Sequence, residues 1–90
     1  MTTEDAHEQI LREIEAAGHL ITERGHIDER HFGNFVVGFV AGEGLNRLVN
    51  DRGQIIRYRG AGFDDGHLVI DDIYRCDDTA FSHAIRSELQ

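Results

Sequence analysis

Apolar residues at the start of the chain recur at helical spacing, and charged residues occupy the opposite side of the same helix. The stripe consists of four residues: Ala6, Ile10, Ile14 and Ala17. Thr2 or Thr3 is suited to cap the first turn, and Gly18 is suited to end the helix. The pattern predicts a helix over residues 4–17.

From residue 31 onward the pattern becomes that of β-strands. The segment that begins at His31 is rich in β-branched and aromatic residues on both of its faces, as in a strand covered on both sides. Turn signals rich in Gly and Asn separate the segments that follow. The pattern predicts four strands, over residues 32–41, 45–50, 54–59 and 67–74. Residues 19–30 are mixed and fit either a short strand or a turn around Gly25.

A second amphipathic segment closes the chain. Asp77 or Asp78 is suited to cap a helix over residues 78–89, in which Phe81 and Ile85 share one side. We therefore predict an α+β fold, a small four-stranded antiparallel meander with an N-terminal and a C-terminal helix. Residues 1–90 are expected to form a single domain.

The strongest local signal is the turn between the second and third predicted strands. Asn50 is suited to open a type I turn, and Gly53 to supply the left-handed residue of the bulge that closes it. This turn pairs Asn50 with Gln54 and places Arg47 opposite Arg57. One sheet face is then expected to carry six residues: Leu45, Arg47, Val49, Ile55, Arg57 and Arg59.

Two arginines directly opposite each other repel, so this face requires compensation. In one interpretation, Asp71, Asp72 or Glu43 neutralises the arginines. In the other, the face binds the phosphate or carboxylate of a ligand, because the planar guanidinium matches such groups. The candidate ligand-binding residues comprise charged, hydrogen-bonding and stacking side chains: Arg47, Arg57, Arg59, Asn46, Tyr58 and Phe63.

Composition and charge narrow the classes of function. The 90 residues carry a formal net charge of −8, and all nine basic residues are Arg. Residues 31–63 carry four Arg against two acids, whereas both flanks are strongly acidic. We expect no nonspecific binding to nucleic acid, because the overall field repels phosphate. Cys76 is the only cysteine, and no segment is typical of a secretion signal or a membrane span, so the cytoplasm is the expected location.

No catalytic or metal-binding signature is present in the sequence. The six histidines match neither a helical His pair nor an H-E-x-x-H pattern, and the acidic turns lack the spacing of a calcium loop. Cys76 lies beside Asp77 and Asp78, and nothing marks it as a nucleophile. We therefore expect no enzymatic activity, no cofactor and no metal site.

Two functional hypotheses follow. In the first, the chain is a small binding protein that sequesters or inhibits by occupancy, with the Arg-bearing sheet face holding an anionic, nucleotide-like ligand. In the second, it is an acidic inhibitor of the immunity or anti-defence type, which covers the basic site of a nuclease or another nucleic-acid-handling enzyme. Two helices are also too few to cover both apolar faces of the sheet, so we expect a homo-oligomer.

Overall fold

The computed structural model describes residues 1–42, 44–60 and 62–90, which form two helices and five strands. In chain order the elements are α1 (Thr3–Ala16), β1 (Leu20–Glu23), β2 (Phe35–Ala41), β3 (Gly44–Asp51), β4 (Gln54–Arg59), β5 (His67–Ile70) and α2 (Asp78–Leu89). Single 3₁₀ turns lie at Glu29–His31 and Ile73–Arg75. None of these helices is both long and apolar enough to cross a membrane.

The five strands form one antiparallel sheet in the order β1-β2-β3-β4-β5. The α+β class and the meander are confirmed, but the predicted count of four strands is wrong. The additional strand is β1, where Leu20 pairs with Val40 and Ile21 with Phe39. The last strand ends at Ile70, earlier than predicted, because the Asp72 side chain accepts a hydrogen bond from Tyr74 N and starts a 3₁₀ turn.

The two helices lie side by side on one face of the sheet and run in the same direction. Gln9 contacts Ser82, and one turn later Glu13 contacts Arg86. Thr2 caps α1 in a reciprocal capping box with Asp5, and Asp77 caps α2 through the amide of Ala80. The N-terminal ammonium donates to Ile73 O and Cys76 O, which brings the starts of both helices together.

The hydrophobic core lies between this helix pair and the inner face of the sheet. The sheet contributes alternate residues of each strand, as the two-residue period of a strand requires. The largest fully buried apolar side chains are Phe39, Phe81, Ile10, Ile14, Leu48, Ile55, Ile73, Ile85 and Val37. Among the described residues no helix packs on the outer face, which we call the open face.

The predicted register of the β3–β4 hairpin is wrong by one residue. Asp51 pairs with Gln54, so the connection is a two-residue turn formed by Arg52 and Gly53. Both have positive φ, 55° and 90°, which is the type I′ geometry that matches the twist of a hairpin. Asn50 remains in the strand, where its side-chain oxygen accepts from Gly53 N at 3.0 Å. A shift of one residue moves every following side chain to the other face.

Candidate functional site

The corrected register divides the six predicted ligand-binding residues between the two faces of the sheet. Arg47 pairs with Tyr58, and both side chains project from the open face. Leu48 pairs with Arg57, and Asn46 with Arg59, on the side that the helices cover. Arg47 and Arg57 are therefore not opposite each other, and the expected repulsion between them does not arise.

Three of the predicted residues come together on the open face. The guanidinium carbon of Arg47 lies 3.9 Å from the ring centroid of Phe63 and 5.8 Å from that of Tyr58. The two rings meet edge to face at 5.3 Å. Arg47 NH2 also donates to the carbonyl oxygen of Gly62. We call Arg47, Tyr58 and Phe63 the Arg47 cluster.

The loop at residues 62–66 holds Phe63 over Arg47. Gly66 allows this approach, because a Cβ at Gly66 would lie 2.7 Å from Tyr58 Cε1 and 2.8 Å from Ile56 Cγ2. The backbone of the loop therefore rests directly on the open face. The Phe63 ring covers one side of the guanidinium and is itself 61% exposed.

The charge of Arg47 is buried without a carboxylate partner in the described part of the chain. Arg47 is only 8% exposed, and its Nε has no hydrogen-bond partner among the described residues. The ion pairs found there involve other arginines or histidines. Glu43, one of the acids expected to neutralise the arginines, lies outside the described residues. A buried guanidinium with a free donor is a group that an anion stabilises.

Arg57 lies between the sheet and the end of α2, and its Nε, like that of Arg47, has no hydrogen-bond partner among the described residues. Its NH2 donates to Asn46 Oδ1 at 2.9 Å, and its NH1 donates to Glu88 O and lies 3.6 Å from Glu88 Oε1. Burial lowers the pKa of Arg57, as does the nearby charge of Arg59, whereas Glu88 raises it. The acid beside Arg57 is thus Glu88, whereas Asp72 pairs with Arg75.

Sequence reasoning missed a second set of polar residues, at the C-terminal ends of the two helices. A cavity of about 390 Å³ lies there, lined by Glu13, His19, Arg86 and Leu89 among others. Glu13 is buried and pairs with Arg86 from the neighbouring helix. The one available signal was that Glu13 directly precedes Ile14 of the apolar stripe of α1.

Most of the rest of the open face is apolar, and its polar positions are Glu23, Asp51 and Gln54. In the register of the sheet the apolar side chains come from alternate positions of each strand: Leu20, Val36, Val40, Leu45, Val49, Ile56 and Leu68. Leu20 is 69% exposed and Leu68 is 49% exposed. The Arg47 cluster therefore lies within an apolar surface, where an electrostatic contact is weakly screened.

Among residues 1–42, 44–60 and 62–90, no group of three or more His, Cys, Asp or Glu side chains is arranged to hold a metal ion. In comparisons with protein-family models, curated proteins and solved structures, the chain gives no significant match. The geometry of the site is therefore the basis for assigning a function.

Proposed function

We propose that the chain is a small non-enzymatic binding protein that acts by occupancy, and that the Arg47 cluster takes an anionic group of its ligand. The observation that carries the proposal is the buried Arg47 Nε, which has no partner among the described residues. The ligand bears a phosphate or a carboxylate, and a nucleotide-like molecule fits the adjacent aromatic rings.

The geometry of the guanidinium specifies how an anion would approach. Phe63 stacks on one face of the group, and NH2 is engaged by Gly62 O. Nε has no partner among the described residues and donates within the guanidinium plane, where an oxyanion accepts. Because the residue is only 8% exposed, binding requires Phe63 to shift off the guanidinium. The displaced ring then offers a stacking surface for a base.

The corrected register reduces the predicted binding set. Arg57 donates a hydrogen bond to Asn46 on the face that the helices cover, so we assign both residues a role in stability and not in binding. Arg59 is exposed on that same side. The proposed ligand contacts are Arg47, Tyr58 and Phe63.

The experiment measures the thermal stability of the full chain against a panel of nucleotides and inorganic phosphate. A ligand at about 100 times its Kd raises the free energy of unfolding by about 2.7 kcal/mol. Arg47→Gln should abolish most of that increase. Arg52→Gln is the matched control, because the Arg52 guanidinium also stacks on an aromatic ring, Phe32, at 4.5 Å. No stabilisation of the wild type up to millimolar ligand, or equal loss in both variants, would overturn the proposal.

A second candidate function is inhibition of a basic protein, and one observation favours it. The starts of the two helices meet, and six carboxylates belong to the segments around them: Glu4, Asp5, Asp71, Asp72, Asp77 and Asp78. Such an acidic end would match the electropositive cleft of a nucleic-acid-handling enzyme and would speed association with it.

The test for this candidate is the association rate with a panel of purified basic nucleases. Reversing Glu4 and Asp78 to Lys should slow association, and added salt should slow the wild type in the same way. Glu8 and Glu15 are the matched controls on α1, because Arg12 and Arg24 already pair with them. A nuclease that binds all variants at one rate would contradict the candidate.

A further inference from the structure

Two exposed aromatic rings lie at the end of the molecule where both helices begin. Phe32 is 62% exposed and Tyr74 is 55% exposed. The other large apolar side chains exposed among the described residues belong to the open face or to the Arg47 cluster: Leu20, Leu45, Phe63 and Leu68. Exposed aromatic rings are enriched where a soluble protein binds a partner.

Both rings lie beside the β3–β4 turn. The guanidinium carbon of Arg52 lies 4.5 Å from the ring centroid of Phe32. Tyr74 lies against Gly53, since a Cβ at Gly53 would be 2.7 Å from Tyr74 Cε2, and Ile73 N donates to Gly53 O at 2.9 Å. Because Arg52 and Gly53 are consecutive, one tight turn contacts both rings. We call Phe32 and Tyr74 the aromatic pair.

Phe32 has a backbone conformation that a bulky residue rarely adopts. Its φ is 61°, in the left-handed region, which favours glycine or asparagine. The ring is mostly exposed, so little burial offsets the free-energy cost of this conformation. A strained residue whose side chain is exposed indicates a role in binding and not in packing.

Hydrogen bonds hold the loop that carries Phe32 against the turn. Asn50 is fully buried, and its Nδ2 donates to Gly33 O at 3.0 Å while its Oδ1 accepts from Gly53 N at 3.0 Å. Asn34 Oδ1 accepts from the backbone amide of the turn, Arg52 N, at 2.8 Å. The loop and the turn therefore form a preorganised surface, which loses little conformational entropy on binding.

The aromatic pair lies at an acidic end of the molecule. Four segments meet there: residues 1–5, 28–34, 50–53 and 71–78. Together they carry nine Asp or Glu residues against three Arg, and one of those arginines, Arg75, pairs with Asp72. Apolar anchors bordered by charge are typical of a protein-binding hot spot, and the negative sign of this border favours a basic partner.

We infer that the aromatic pair anchors a basic protein partner, an inference that rests on the second candidate function. Phe32 and Tyr74 enter an apolar pocket of the partner, and basic residues at the border of that pocket meet the surrounding carboxylates. Arg52 is a positioning residue, because its guanidinium covers the Phe32 ring and orients it. The aromatic contacts set the dissociation rate, whereas the charges set the association rate.

The first probe is a synthetic amphipathic helix of leucine and lysine, which presents an apolar face between basic borders. Its binding to the immobilised full chain is measured by surface plasmon resonance at low salt. Phe32→Ala and Tyr74→Ala should each weaken binding at least tenfold, mainly through faster dissociation. Leu20→Ala is the matched control, because Leu20 is an apolar residue of the open face that is 69% exposed. No binding to the wild type, no loss in the aromatic variants, or equal loss in Leu20→Ala would overturn the proposal.

The panel of purified basic nucleases separates this inference from the function on which it rests. Glu4→Lys should slow association with a nuclease that binds, whereas Phe32→Ala should speed dissociation and leave the association rate within about twofold. A nuclease that depends on Glu4 but binds Phe32→Ala as tightly as the wild type would overturn the anchors and leave the candidate function intact. If no nuclease binds but the peptide requires both rings, the anchors stand and the nuclease target is wrong.

Phe32→Gly verifies that lost binding does not result from unfolding. Glycine accepts the positive φ at this position, so the variant should melt at or above the wild-type temperature and still lose binding. A clear fall in its melting temperature would assign the ring to stability and contradict the proposal.

Discussion

Arg86 of helix α2 holds the buried carboxylate of Glu13 in helix α1 with two hydrogen bonds. The Nε of Arg86 donates to Oε2, and its NH2 donates to Oε1 at 3.2 Å. The hydrogen bond to Glu13, and then its charge, raise the pKa of Arg86. The contact connects two parallel helices that lie more than 60 residues apart in the chain.

Removing the guanidinium should destabilise the fold, because Arg86→Ala leaves the buried Glu13 carboxylate without its partner. Glu13→Leu should lower the free energy of unfolding by less than Arg86→Ala does, since an apolar side chain replaces the carboxylate between the helices. Chemical denaturation measures both. Arg12→Ala is the matched control, because its pair with Glu8 is exposed on both sides. Equal denaturation midpoints for Arg12→Ala and Arg86→Ala would contradict a stabilising role of the pair between Arg86 and Glu13.

Arg57 should matter for stability and not for binding. Arg57→Gln removes the donors to Asn46 and to Glu88 O in a buried setting, and we expect a loss of about 2–3 kcal/mol in the free energy of unfolding. Arg59→Gln, two residues along the same strand, is exposed and should change stability by less than about 0.5 kcal/mol. Urea titration measures the two losses, and a nearly neutral Arg57→Gln would show that the buried bonds are not made.

Two features of the structure, a positive φ and a close side chain, require glycine at position 53. Its φ of +90° disfavours any side chain, and a Cβ there would lie 2.7 Å from Cε2 of Tyr74. Gly53→Ala should therefore lower the free energy of unfolding by about 2 kcal/mol. Gly18→Ala is the control for backbone strain alone, because Gly18 has a φ of +80° with nothing within 4 Å of the added Cβ, and we expect about 1 kcal/mol. An equal decrease in melting temperature for the two variants would contradict a clash between the added Cβ and Tyr74.

Asp28 should contribute to acid stability. The hydrogen bond from His31 lowers the pKa of the Asp28 carboxyl below its ordinary value, and burial partly opposes this effect. A lowered pKa in the folded state means that the stabilisation is present above the unfolded value of about 3.9. It is lost as pH falls through the lowered folded value. Melting temperatures measured from pH 7 to pH 2 should therefore fall less steeply for Asp28→Asn than for the wild type, and equal slopes for the two proteins would contradict this role of Asp28.

The helices could be predicted from the sequence because their signals are local. The apolar stripe of α1, the Thr2 cap and the Asp77 cap all involve residues within one or two turns. Strand β1 lacks such a signal. Three of its four residues are exposed, and only Ile21 is partly buried, so no alternation marks it. Pairing with Phe39 and Val40 of β2 makes it a strand, and that partner lies about 20 residues away.

The candidate site was only partly predictable because it depends on the register. A type I turn with a bulge and a type I′ turn both fit the segment Asn50–Gly53, and they differ by one residue in pairing. Arg52 accepts a left-handed conformation that arginine rarely adopts, so residue preference favoured the wrong turn. Arg47, Tyr58 and Phe63 all belong to the predicted set, but their grouping was not predictable, because the predicted register places Tyr58 on the face opposite to that of Arg47. The contact of Arg57 with Glu88 was not predictable either, because helix α2 brings that acid from 31 residues away.

The position of α2 after the sheet in the chain has a consequence for synthesis. Phe81, Ile85 and Leu89 of α2 belong to the core that the sheet residues Leu48 and Ile55 share. Until α2 has been synthesised, the sheet lacks the cover of this helix, so a nascent meander exposes apolar surface on both faces. The native core therefore forms only once α2 has left the ribosome, and aggregation and chaperone binding compete with folding before that point.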